Sequence, residues 1–246
     1  MLNLLFLFIG LIVGVFINVL ADALPERARL QRPFCLQCGH VHEGLGFLAL
    51  SRRKCANCGA PTRKREWLVE GGTAVLFAFL PTLIPEPRNL VMNSIYIAIL
   101  ILVIVIDLEN KLILNVVTFP ATALALAGSF IVTPEQNNWK LALVGAAVGF
   151  VFFYIAYWLG TRLFGPGALG YGDVKLALAM GAMLGFHRIF FALTLAIFLG
   201  GVTSLILLLV NRKVNTRTYL PYGQYLAVAA IIMLIWGVQI YQGYVN

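Results

Sequence analysis

The stretch Leu100-Ile101-Leu102-Val103-Ile104-Val105-Ile106-Asp107 decides the fold class, because a continuous aliphatic run ends on a carboxylate. A span needs roughly 17–25 residues, and the apolar segment around this run, residues 91–107, supplies them. Segments of the same kind recur at about 2–21, 68–84, 113–132, 140–163, 174–186, 188–210 and 220–242. The chain of 246 residues is 61% hydrophobic and 11% charged, with a mean hydropathy of +0.89. Soluble domains carry about 25% charged residues. The expected fold is therefore an all-α membrane protein, a polytopic bundle of about eight transmembrane helices. Segment 174–186 is short for a span and is expected to be re-entrant or to share the glycine-rich loop before it. The first segment is expected to be a span, not a cleaved signal, because Met1-Leu2-Asn3 offers no basic head.

Basic residues set the expected orientation. With eight spans and an external N-terminus, Arg88, Lys140 and Arg188 fall on one side and the remaining fifteen of the eighteen Lys and Arg on the other. Cytoplasmic loops carry the excess of positive charge, so the long loop 22–67 is expected in the cytosol. The net charge of +8 then reports topology and contact with anionic membrane lipid, and no nucleic-acid partner is expected. The organisation read from this is a first helix (1–21), a cytoplasmic cysteine loop (22–67) and a membrane bundle (68–246).

All four cysteines lie in that loop, as Cys35-Leu36-Gln37-Cys38-Gly39 and Cys55-Ala56-Asn57-Cys58-Gly59. Two C-x2-C pairs at this separation are the pattern of a tetrathiolate zinc site. Disulfides are the alternative, and a reducing cytosol disfavours them. Four protein ligands close the coordination sphere, so the Zn²⁺ is expected to be structural and to supply folding energy to a small insertion. His40 and His42 are surplus donors.

Ten acidic residues are present, and Glu70, Asp107 and Asp173 are those placed on or against apolar helices. Asp173 follows two glycines in Gly170-Tyr171-Gly172-Asp173 and opens an apolar segment. A lone acid at a helix end is as well explained by snorkelling or by pairing with Lys111 or Lys175. Two acids expected on one side point instead to chemistry. Close carboxylates share one proton, so the ionised member can activate water while the protonated member polarises a peptide carbonyl. Asp107 ends its helix and Asp173 begins its own, which by helix-dipole reasoning puts the shared proton on Asp107. The three histidines suggest no nucleophile–base pairing.

Taken together, the motifs resemble those of the bacterial type IV prepilin peptidases, a branch of the GxGD membrane aspartic proteases. The likeness runs from Gly14-Val15-Phe16-Ile17-Asn18-Val19 through the paired C-x2-C loop, Arg65-Glu66-Trp67-Leu68-Val69-Glu70, Ile106-Asp107 and Gly170-Tyr171-Gly172-Asp173-Val174-Lys175. It continues to Leu220-Pro221-Tyr222-Gly223-Gln224. The resemblance implies that Asp107 and Asp173 are the catalytic pair. It also implies that prepilins or pseudopilins are the substrates, cut on the cytoplasmic side of the inner membrane after a glycine that ends a basic leader. Gly170, Gly172, Lys175 and Glu70 are expected to border the substrate. Glu70 could attract the new ammonium group, with pairing to Arg63 or Arg65 as its structural alternative. Many members also methylate the new N-terminus with S-adenosylmethionine. Asn115 stands where many relatives carry a second acid. The competing readings are a zinc-loop membrane scaffold of a pilus or secretion assembly and an ion or proton transporter. Residues 165–173 are expected to close on substrate.

Overall fold

The computed structural model describes residues 1–25, 35, 37–41, 48–49, 54–165, 169–210 and 222–245. The expectations for Arg27, Arg29, Arg32, Arg52, Arg53 and His42, for 166–168 of the proposed closing loop, and for 211–221 lie outside these residues. Among the described residues the structure is helical, with one isolated bridge between Lys54 and Pro61. The elements are α1 (Leu2–Ala23), α2 (Lys64–Leu83), α3 (Pro87–Asn110), α4 (Asn115–Gly128), α5 (Trp139–Phe164), α6 (Tyr171–Val210) and α7 (Gly223–Val245). They fall into two compact units, Met1–Glu86 and Pro87–Asn246.

Among the described residues five helices, α1, α3, α5, α6 and α7, are long and apolar enough to cross a membrane, fewer than the eight expected spans. Each difference has a physical reason. α2 opens on Lys64, Arg65 and Glu66 and carries Glu70, which dilute its hydropathy. α4 has 14 residues, about 21 Å at 1.5 Å per residue, against a hydrocarbon core of about 30 Å. Expected segments 174–186 and 188–210 are the two helices on either side of the non-helical Gly185, taken together as α6.

In the first unit, α1 lays Gly10, Gly14 and Asn18, spaced one turn apart, on α2. A Cβ at Gly10 would stand 2.7 Å from the Phe77 Cβ, and one at Gly14 would stand 2.7 Å from the Glu70 Cα. Small residues at i and i+4 allow such backbone approach between apolar helices. Asn18 Nδ2 then donates to the Glu66 carbonyl at 3.2 Å.

In the second unit, Asn138 caps α5 by accepting the Leu141 amide at 2.9 Å. α5 packs against the first half of α6 by direct backbone contact. A Cβ on Gly145 would run into the Gly181 carbonyl, and one on Gly149 into that of Ala177. At Gly185 the backbone takes φ 77° and ψ 173°, a conformation open essentially to glycine alone. The break frees helix carbonyls, and polar side chains take them up. Asn137 Nδ2 donates to Ala182 O at 3.0 Å and Met183 O at 3.3 Å. Arg188 Nε donates to Leu184 O at 2.9 Å, and its Nη2 donates to the Gln136 carbonyl. Beyond the break the chain runs back along α7. The His187 ring lies 4.7 Å from that of Tyr241, whereas Gly200, farther on, faces Tyr222 just before α7 begins. One end of this unit thus gathers the end of α3 and the starts of α4, α6 and α7.

Candidate active site and metal centre

Asp107 lies in the last turn of α3 and is 3% exposed, and Asp173 lies in the first turn of α6 at 6%. Burial at this level marks neither as a surface snorkeller. Asp107 Oδ2 accepts the Gln224 amide at 2.9 Å, and the Gly223 amide also reaches the carboxylate, so α7 begins on Asp107. An N-terminal turn offers unpaired N–H groups to an anion. The Asp173 carboxylate meets the Gly170 amide, while its own N–H donates to the Gly170 carbonyl at 3.1 Å. The charge of Asp107 reaches Asp173, and that of Asp173 reaches Tyr222. Two acids separated by 66 positions in sequence are therefore brought to one end of one unit.

The loop after α3 completes the setting. Lys111 N–H bonds the Asp107 carbonyl at 2.9 Å, and Lys111 adopts φ 54°, the left-handed turn that ends α3. The reversal carries Ile113 onto two glycines. A Cβ at Gly172 would be 2.8 Å from the Ile113 Cβ, and one at Gly223 would be 2.7 Å from the Ile113 Cδ1 and 2.9 Å from Asp107 Oδ2. Lys175, one half-turn beyond Asp173, points its Nζ at Asn115 Oδ1 (2.7 Å) and over the rings of Tyr171 and Phe119.

Helix-end reasoning from sequence assigned the shared proton to Asp107 because α3 ends there. The structure removes that reason, since the start of α7 faces the same carboxylate. Sequence reading also missed Ile113 and the anion-holding role of Gly223 and Gln224. The Pro221-Tyr222-Gly223 sequence was a usable signal, because a helix opening after proline and glycine presents free amides.

In the first unit the four sulfurs converge. Cys35 Sγ lies 3.5 Å from Cys58 Sγ and Cys38 Sγ 3.7 Å from Cys55 Sγ, with all four within 4.8 Å of one another. Disulfide sulfurs sit about 2.05 Å apart, so these are free thiols. The two turns repeat one pattern. Gly39 N–H returns to Cys35 O at 2.8 Å and Gly59 N–H to Cys55 O at 3.0 Å, with both glycines near φ 70°. Amides of Cys38 and Gln37 face the Cys35 sulfur and lower its pKa. Those of Cys58 and Asn57 draw Cys55 down to about 6. At Cys58 the Ala60 amide acts in the same sense, but the Cys38 sulfur, burial and the other two sulfurs outweigh it and push the thiol up to about 12. Crowded sulfurs that cannot all ionise alone are a set that could hold a metal ion.

Glu70 is 2% exposed and accepts the Ala49 amide at 3.1 Å, tying the cysteine loop to α2. Asp22 receives both Arg63 (2.5 Å) and Arg65 (2.9 Å), and Arg63 Nε reaches Glu66 Oε1 at 2.8 Å. Burial works against the Arg63 charge, yet the Asp22 and Glu66 carboxylates hold its pKa above the usual arginine value.

Known proteins are similar to this chain over most of its length. The Type IV leader peptidase family matches residues 94–205, and the bacterial peptidase A24 N-terminal domain matches residues 8–83. A Pseudomonas putida prepilin leader peptidase/N-methyltransferase is 31% identical over 268 residues, covering 95% of this chain and 90% of that relative. This chain belongs to the type IV leader peptidase family. A Myxococcus xanthus relative in the same family is 33% identical over 222 residues, 87% of this chain and 65% of its own length. A Pseudomonas aeruginosa relative is 28% identical over 270 residues, 97% and 91% of the two chains. Both carry the same name as the Pseudomonas putida protein. No solved structure matches.

Proposed function

We propose that this chain is a membrane aspartic endopeptidase that removes the leader from prepilins or pseudopilins, with Asp107 and Asp173 as its catalytic pair. The observation that carries the reading is the convergence of these two buried acids, each held by backbone amides, at one end of the second unit. One carboxylate takes a proton from the attacking water as the other donates to the scissile carbonyl, and the roles exchange as the amine leaves. Amide donors fix both side chains without placing a cation beside them. The apolar part of a prepilin can lie in the bilayer while its basic leader stays in water. The distribution of lysine and arginine favours a cytosolic position for both the cysteine loop and the acids in the inner membrane.

We assign Zn²⁺ to the four cysteines. A tetrahedron with Zn–S bonds of about 2.3 Å has edges of about 3.8 Å, near the 3.5 and 3.7 Å sulfur separations. The ion would join the two turns, with Cys35, Cys38, Cys55 and Cys58 as ligands and no position left for water. N-methylation is a second activity carried in the relatives' names, and S-adenosylmethionine is the expected donor. No glycine-rich nucleotide loop stands among the described residues, so no methyl-transfer step is assigned to particular side chains.

The test incubates purified protein with a prepilin, with and without S-adenosylmethionine, and determines the product N-terminus by mass spectrometry. Asp107→Asn and Asp173→Asn are each expected to cut cleavage by roughly 10²–10⁴-fold through loss of an acid–base partner, while remaining folded and inserted. Substantial cleavage by either folded variant rejects the pair.

A further inference from the structure

The geometry points to Ile113 as the residue that limits the size of the substrate side chain preceding the scissile bond. This inference rests on the proposed peptidase reading and gives its site a shape.

A carbonyl carbon under attack must lie about 3 Å from the water held by the two carboxylates. The Cα on its acyl side is one bond further, so that residue's side chain projects into the immediate surroundings of Asp107 and Asp173. Those surroundings contain two surfaces without a Cβ, Gly172 beside Asp173 and Gly223 against Asp107. Ile113 fills both. Its Cβ sits 2.8 Å from where a Gly172 Cβ would be, and its Cδ1 sits 2.7 Å from where a Gly223 Cβ would be. The same Gly223 position is 2.9 Å from Asp107 Oδ2, so the Ile113 methyl and the carboxylate pack side by side against Gly223. Ile113 is partly exposed and therefore accessible to a ligand. A branched side chain is stiff about χ1, and this one is carried on a short connection anchored by the Lys111 turn and by Leu114, whose carbonyl accepts the Val117 and Thr118 amides at 3.0 Å. It cannot swing aside at little cost. A substrate residue without a side chain fits beside it, and one with a methyl or larger group meets it.

The experiment uses full-length protein in detergent and a set of prepilins with Gly, Ala, Ser or Val before the scissile bond. Wild type, Ile113→Val and Ile113→Ala are compared by kcat/KM, with thermal unfolding measured on each. Removing methylenes from a hydrophobic wall changes discrimination by roughly tenfold or more. The Ala-to-Gly ratio of kcat/KM is therefore expected to rise at least tenfold in Ile113→Ala and by a smaller factor in Ile113→Val. The ratio is internal to each variant, so a general loss of rate does not move it. An unchanged ratio in the folded variants overturns the role of Ile113 while leaving the peptidase reading intact. If Ile113→Ala does not fold, the ratio in Ile113→Val decides. A wild-type protein that cuts none of the substrates overturns the peptidase reading, and this inference with it.

Discussion

Gly223→Ala displaces a catalytic carboxylate without altering any acid. The new Cβ would stand 2.9 Å from Asp107 Oδ2, 3.2 Å from its Cγ and 2.7 Å from Ile113 Cδ1. Carbon contacts are comfortable at about 3.5 Å and above, so Oδ2 must retreat by about 0.5 Å and Ile113 Cδ1 by somewhat more. Oδ2 is also the atom that accepts the Gln224 amide at 2.9 Å, so the retreat weakens the contact that orients it. A misplacement of about 1 Å costs on the order of 100-fold in rate. The smaller shift here corresponds to roughly 10- to 100-fold, or about 1.4–2.7 kcal/mol of barrier. All three clashing atoms belong to side chains, so the fold should lose no more than the roughly 1–3 kcal/mol typical of overpacking. Prepilin cleavage under single-turnover conditions and thermal unfolding in detergent separate the two effects. Gly201→Ala and Gly243→Ala are matched controls, because a Cβ at either position meets nothing within 4 Å. Both controls should cleave at the wild-type rate. A folded Gly223→Ala protein that does the same would refute the placement of Asp107 at the start of α7.

Chelating the metal, or replacing Cys55 with serine, should expose the cysteine loop to proteolysis without unfolding the second unit, and zinc content by mass spectrometry should fall in parallel. Metal binding displaces protons from the thiols, so retention should weaken as pH is lowered; retention independent of pH would count against thiolate ligation. Asp22→Asn removes the carboxylate shared by Arg63 and Arg65, and on these partly exposed groups should cost about 1 kcal/mol, less at high salt. Gly185→Ala forces a side chain into φ 77° and to 2.5 Å from Asn137 Oδ1, which should cost about 1–3 kcal/mol by calorimetry, whereas unchanged stability would mean that α6 is not folded back there.

The class of fold and the members of the site were legible because both depend on composition and on residues too costly to place idly. An acid closing an aliphatic run and an acid after Gly170 and Gly172 could be picked out singly, and paired C-x2-C turns carry their own geometry. The break near Gly185 was legible as the gap between segments 174–186 and 188–210, but what holds it was not. Its cause is distributed over Asn137, Arg188 and carbonyls that ordinary helix would have satisfied, and none of these stands out in sequence. Arg188 was placed at the external end of segment 188–210, yet it is 4% exposed and bonded to backbone oxygens. Ile113 was invisible for the opposite reason. An isoleucine between two leucines reads as ordinary apolar filling until the glycines facing it are known.

What a dyad of acids requires from its neighbours explains the treatment of Lys175. Two carboxylates share a proton only if no fixed cation stabilises both as anions. Lys175 follows Asp173 by two residues on the same helix, close enough to do this if its side chain turned inward. Instead Nζ is drawn to the neutral amide of Asn115 at 2.7 Å and lies over the Tyr171 and Phe119 rings at 4.8 and 5.7 Å. A cation satisfied by an amide oxygen and two ring faces does not need a carboxylate. The amides of Gly170, Gly223 and Gln224 meanwhile orient the acids through neutral backbone dipoles. The site thus combines backbone donors at helix starts, which orient a carboxylate, with a sequestered lysine, which leaves its proton exchangeable.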